Sequence, residues 1–176
     1  IAFTVFSSNH NKKMFDLLKT NIEKYIGTLT ILYIPFSTFL FIVAEPLVLL
    51  VGGERYIEAV LLFRIFLIYS VFVPFDQVIG VSLDAINKPN KNFIKVMIMA
   101  AVNIIGDLFV LIYYKNIELV AWVTLFTILS GALSGYFMLK NTVSIRISSI
   151  LSSGYQNLNN GFIKCLEKIK LINSKT

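Results

Sequence analysis

Cysteine and histidine are almost missing from this chain, with one of each, Cys165 and His10. A single cysteine excludes an internal disulfide framework and a cysteine-rich metal site, and a single histidine gives no basis for a His-based zinc site. Both residues read as incidental. Charge is also scarce: 15% of the 176 residues are charged against 56% hydrophobic, and the mean hydropathy is +0.75. A soluble domain of this length needs more polar side chains than that to cover its surface. The chain therefore belongs in a bilayer, which excludes a soluble enzyme or a nucleic-acid-binding domain despite the formal charge of +6. Nucleotide-cradling Gly-rich loops, paired-Cys metal motifs and a serine-nucleophile elbow are absent too, so catalysis has no residue set to stand on and no cofactor is expected. The chain opens at Ile1 without an initiator Met, and Ile1 to Ser8 is too short for the apolar region of a signal peptide, which reads as a fragment whose upstream part is missing.

What the sequence does have is long apolar runs. Tyr25 to Val51, Ala59 to Leu83, Phe93 to Tyr114 and Ile117 to Leu139 are each long enough to cross a membrane as helix. The first is overlong, Pro35 predicts a kink near its middle, and Gly52-Gly53 ends it. Asn87 to Lys91 forms a polar turn around Pro89, and Lys115-Asn116 leaves almost no loop, so the four helices are expected as an antiparallel row. Gly131 and Gly135, four apart in the last span, mark a close-packing face.

Counted by alternate loops, 13 of the 16 Lys and Arg fall on one side, including Lys88, Lys91 and Lys95; Arg55 and Lys115 fall on the other, and Arg64 lies inside a span. Positive loops face the cytoplasm, so both ends of the fragment are placed there, in the inner (plasma) membrane. Residues 1–24 are then a cytoplasmic loop leading into a helix, 25–139 the four-helix part, and 140–176 a basic tail. In that tail Ile147, Leu151, Tyr155, Leu158, Phe162, Leu166 and Ile169 repeat at helical spacing. The stripe predicts an amphipathic helix on the cytoplasmic membrane surface, with Lys164, Lys168 and Lys170 near the headgroups, or else a partner helix for a coiled coil. Gly154 and Gly161 weaken it as a free helix.

Charges inside the spans are the candidate functional residues, because an ionised group in hydrocarbon is costly. Glu45 and Arg64 both lie roughly 10 to 12 Å deep and are expected to form a structural ion pair, or else Arg64 snorkels toward the headgroups. Arg64 is alternatively a cavity-facing anion anchor, since a guanidinium offers a phosphate two parallel charge-assisted bonds. Asp76 has no expected cation at its level, so it is protonated, faces water or pairs with a missing helix. Asn103 and Asp107 share a helix face one turn apart, suited to sugar hydroxyls or to bridging neighbouring helices. Asp84 reads as a solvated boundary residue.

Several segments carry a family resemblance. Ala44-Glu45-Pro46-Leu47-Val48-Leu49-Leu50-Val51-Gly52-Gly53-Glu54-Arg55-Tyr56, the following Ala59-Val60-Leu61-Leu62-Phe63-Arg64-Ile65, the turn Ala85-Ile86-Asn87-Lys88-Pro89 and the run Ala101-Val102-Asn103-Ile104 resemble the polysaccharide and O-antigen flippases of the multidrug/oligosaccharidyl-lipid/polysaccharide exporter superfamily. The resemblance implies four helices from the C-terminal bundle of a transporter of about a dozen, working by alternating access against a missing N-terminal bundle of the same chain. It implies undecaprenyl-diphosphate-linked oligosaccharide as cargo, with H+ or Na+ as a possible coupling ion. On chemistry and depth, Arg64 would then meet pyrophosphate, with Asp76, Asn103 and Asp107 completing the binding set. A multidrug/cation antiporter using Asp76 or Asp107, and a non-transporting membrane scaffold for polysaccharide assembly, are the alternatives.

Overall fold

Backbone N–H and C=O groups have no water to bond in hydrocarbon, so an apolar chain satisfies them within helices. The computed structural model describes the backbone of residues 1–173 and the side chains of residues 1–163, and among these the secondary structure is wholly helical. In order come α1 (Ala2–Asn11), α2 (Phe15–Ile42), α3 (Ala44–Gly52), a 3-10 turn (Glu54–Tyr56), α4 (Ala59–Ala85), α5 (Pro89–Tyr113), α6 (Ile117–Lys140) and α7 (Ile147–Asn173). Helices α2, α4, α5 and α6, with 28, 27, 25 and 24 residues, are long and apolar enough to cross a membrane. This is a multi-pass, all-α membrane protein.

Local chemistry sets the helix ends. Pro89 occupies the first turn of α5, where its missing N–H costs nothing. The Asn116 side chain accepts the Glu118 N–H at 2.8 Å and caps α6. The links before α2, α5 and α6 each place one residue in the left-handed region, Lys13, Asn87 and Lys115, of which the asparagine is the easiest to hold there.

Three expectations change. Residues 1–24 are helical rather than loop: α1 buries Phe6 edge-to-face on Tyr25, and α2 begins at Phe15. The interruption of the first long run falls at Val43, while α2 continues through Pro35. Pro46 explains this, because its ring excludes the carbonyl of Ile42, and the chain restarts so that Pro46 sits in a first turn needing no N–H. The helices also do not form a simple row. Helix α4 packs on α2 and α6, α5 packs on α6 and only lightly on α4, so α6 wedges between its two predecessors.

The best-packed region lies at one end of the bundle, where α1, the start of α2 and the ends of α4 and α6 meet. Phe6, Leu18, Ile22, Ile79, Leu83 and Leu139 are fully enclosed there. Lipid tails are as apolar as these side chains, so dispersion and close fit hold them rather than expulsion from water.

Helix α7 joins this end. The buried Glu23 carboxylate accepts the Arg146 backbone N–H at 2.8 Å, and the Asn157 amide donates to Thr28 Oγ1 at 3.0 Å. Between them Gly27 and Gly154 bring the two backbones into direct contact: a Cβ on Gly154 would lie 2.6 Å from Thr28 N. The tail is thus helical as expected, but its first half is fastened to α2 rather than only resting on a membrane surface. Ile150 and Gly154 face α2, whereas Ile147, Leu151, Tyr155 and Phe162 of the apolar stripe stay more than half exposed. Lys164, Cys165, Leu166, Lys168, Ile169 and Lys170 lie outside the described side chains.

Candidate functional site: a polar cavity between three spanning helices

Asp76 lies near the middle of α4 and Lys95 six residues after Pro89 on α5. Their side chains meet: Lys95 Nζ is 2.7 Å from Asp76 Oδ1 and also donates to the Asp76 carbonyl oxygen at 3.2 Å. The two side chains are 4% and 6% exposed, which leaves the pair almost no contact with its surroundings outside the protein. Removing two charges from water is expensive, and such a pair persists only with close geometry and further hydrogen bonds, both of which Lys95 has.

Glycines on α4 and α6 make the room. A Cβ on Gly131 would run into Met99 and stand 2.9 Å from Asp76 Oδ1, and one on Gly135 would stand 2.8 Å from both Ile79 Cγ2 and Lys95 Cδ. A Cβ on Gly80 would be 3.4 Å from Lys95 Nζ. The Gly131/Gly135 face is therefore a close-packing face, as its spacing suggests, and what it packs against includes the ion pair itself.

Around the pair lies a cavity of about 570 Å³, lined by polar groups unusual at this depth: Tyr69 and Gln77 of α4, Asn92 and Asn103 of α5, and Thr124 and Thr127 of α6. Asn92 donates to Asp84 Oδ2 at 2.9 Å, and its own Oδ1 is buried without a partner. The cavity thus offers amide and hydroxyl groups on its walls and a neutralised ion pair at its edge, the equipment for hydrogen-bonding a hydroxyl-rich ligand.

Of the sequence-derived set, Asp76 and Asn103 line this cavity, while Arg64 and Asp107 do not. The expected Glu45–Arg64 ion pair is absent: among the described residues the salt bridge is Asp76–Lys95. The break at Val43 places Glu45 in the first turn of α3 on an exposed face, and Arg64 instead holds its guanidinium over the Phe41 ring, 5.4 Å from the centroid. Counting twelve residues from Asp76 back along α4 reaches Arg64, and the same count from Lys95 forward along α5 reaches Asp107, each roughly 18 Å away. Arg64 Nε and Asp107 Oδ1 are both buried without hydrogen-bond partners. The two helices therefore carry a satisfied pair of opposite charges at one level and an unsatisfied pair of groups toward the opposite end.

Lys95 is the residue that sequence reasoning misplaced. Assigned to a loop, it left Asp76 without a cation and inflated the charge of that side, whose remaining lysines and arginines still far outnumber those opposite. Asp84, read as a solvated boundary residue, belongs to the cavity wall. A signal was present: opposite charges on two successive antiparallel helices, each set back from the turn joining them. No cluster of His, Cys, Asp and Glu that could hold a metal ion occurs among the described residues. Comparison with protein-family models, with curated proteins and with solved structures finds no match to this chain.

Proposed function

We propose that this chain is the later part of a transporter that flips undecaprenyl-diphosphate-linked oligosaccharide to the outer leaflet, for O-antigen, capsule or related polysaccharide synthesis. The observation that carries the transport reading is the polar cavity with its buried Asp76–Lys95 pair among helices able to cross a membrane. Ionisable groups and amides at such a depth are expensive in a protein that only anchors, and they mark pathways. The glycan-lipid cargo rests on the family resemblance and on chemistry: hydroxyls and amides suit sugar, and Lys95 is the cation nearest to them. In this reading Asn103 and Gln77 contact sugar, and Lys95, exchanging its partner, meets pyrophosphate. Arg64, set apart from the cavity, meets a part of the protein or cargo beyond it. The excess of lysines around the ends of α4 and α6 and the start of α2 supports a reading with both fragment ends in the cytoplasm and the protein in the plasma membrane.

A cation-coupled antiporter is the second reading, favoured by Asp107 with its unpartnered buried oxygen. The experiment that separates them uses the full-length protein in cells lacking their own flippase. Wild type should restore lipid-linked oligosaccharide translocation, and Lys95→Met and Asn103→Leu should abolish it at matched membrane levels. Failure of wild type with several glycans, together with cation-stimulated drug efflux, would replace the flippase with the antiporter. Failure of wild type without drug efflux would leave a scaffold, and translocation indifferent to both substitutions would keep the flippase but remove Lys95 and Asn103 from the cargo path.

A further inference from the structure

The faces of α4 and α6 turned away from the polar cavity form a second concavity of opposite character. Phe72 and Phe75 of α4, Leu129 and Leu133 of α6, and Ile150 and Leu151 of α7 line an apolar groove of about 350 Å³. A space walled almost wholly by hydrocarbon, with Thr30 and Tyr136 the polar side chains on its walls, offers water few partners. In a bilayer the available filling is a hydrocarbon chain.

The groove does not end blindly. Two of its wall residues, Tyr136 and Ile147, also border a pocket of about 410 Å³ at the link between α6 and α7, and that pocket is polar. Its walls carry Lys140, Ser144 and Arg146. Lys140 Nζ lies over the Tyr136 ring, 5.7 Å from its centroid, and neither cation lies within salt-bridge distance of an acid among the described residues. The nearby acid, Glu23, is buried and turned to the Arg146 backbone N–H, which leaves the guanidinium, on an exposed residue, uncommitted to it. Lys140 closes the last turn of a spanning helix, which is the depth of lipid headgroups.

We propose that this composite site binds an anionic phospholipid, one acyl chain lying in the groove and the headgroup phosphate held by Lys140 and Arg146. The charge complementarity selects the ligand. A phosphodiester accepts two parallel bonds from a guanidinium and a further one from an ammonium, and Ser144 adds a hydroxyl donor. A net-negative headgroup satisfies two cations, whereas a zwitterionic one brings its own cation to the same place. The site shares no lining residue with the polar cavity, so it is independent of the cargo proposed above. A lipid seated there ties α6, α7 and α4 together along the groove they line.

The test is native mass spectrometry of the intact protein released from micelles containing equal amounts of phosphatidylglycerol and phosphatidylcholine. Wild type should retain phosphatidylglycerol at least fivefold over phosphatidylcholine. The exposed pair Lys140→Ala/Arg146→Ala should bring that ratio close to one, and Leu133→Trp, which fills the groove mouth, should lower retention of both lipids. Lys12→Ala/Lys13→Ala, elsewhere at the same end, should leave the ratio unchanged. Equal retention by wild type, a ratio that survives the Lys140/Arg146 change, or a ratio lost equally in the Lys12/Lys13 control overturns the site. Removal of the phosphatidylglycerol by millimolar inorganic phosphate, with Leu133→Trp without effect, would reveal a bare anion site and also overturn it.

Discussion

Gly135 on α6 stands directly against the aliphatic stem of Lys95, so close that a Cβ there would reach within 2.8 Å of Lys95 Cδ. The missing side chain of one residue is therefore what lets the charged end of another reach Asp76. Gly135→Val should push Lys95 from Asp76 and destabilise the fold by about 1–3 kcal/mol, the usual range for overpacking. Thermal unfolding of the purified protein in lipid nanodiscs measures this, and an unchanged midpoint would show that α6 shifts away freely.

The ion pair itself predicts a non-additive cycle. Asp76→Asn or Lys95→Met alone leaves one buried charge uncompensated and should cost about 3–5 kcal/mol, whereas the double substitution removes both charges and should recover most of it. The same unfolding assay on the four proteins reads the coupling. Additive losses would mean that the two groups do not sense one another. Transport by the double variant should remain absent even where its stability returns, because Lys95 is the cation of the cavity.

Gly154 predicts the attachment of the tail. Its neighbours on α2 are backbone atoms of Gly27 and Thr28, which cannot rotate aside as a side chain would. Gly154→Leu should therefore detach α7 from α2, raising protease cleavage between Ile147 and Gly161 several-fold while the four spanning helices stay intact. Gly161, which has open space at its Cβ position, should accept alanine without that effect.

Glu23→Ala removes the acceptor of the Arg146 N–H and leaves that donor unpaired. The expected loss is about 1–3 kcal/mol. Hydrogen exchange at Arg146 and through the first turn of α7 should accelerate together, and unchanged exchange would show that another group accepts the bond.

Much of this architecture was legible in the sequence because the signals were local. Apolar length gave α4, α5 and α6 to within a few residues, with Pro89 and Asn116 marking two of their starts, whereas the first span lies nine or ten residues earlier than expected and Gly52-Gly53 ends the short α3. Four-residue glycine spacing on α6 named a packing face that the structure contains. What was not legible depended on three-dimensional register. Lys95 looks like a loop charge when counted from Pro89 and like a core residue only when Asp76 is seen across from it. Glu45 and Arg64 matched in depth along straight helices, and the restart at Val43 removed that match. The α2–α7 contact joins residues far apart in the chain through two glycines whose sequence context gives no hint of one another.

The bond from Arg146 to Glu23 spans 123 residues. During synthesis α2 emerges before α7, and its carboxylate at Glu23 has no such donor until α4, α5 and α6 have followed. Until then Glu23 has to keep its water, which holds the start of α2 near the aqueous edge of the membrane. The fastening of α7 to α2 thus comes late among these helices, and a chain cut short before Arg146 should leave the Glu23 acid without its partner.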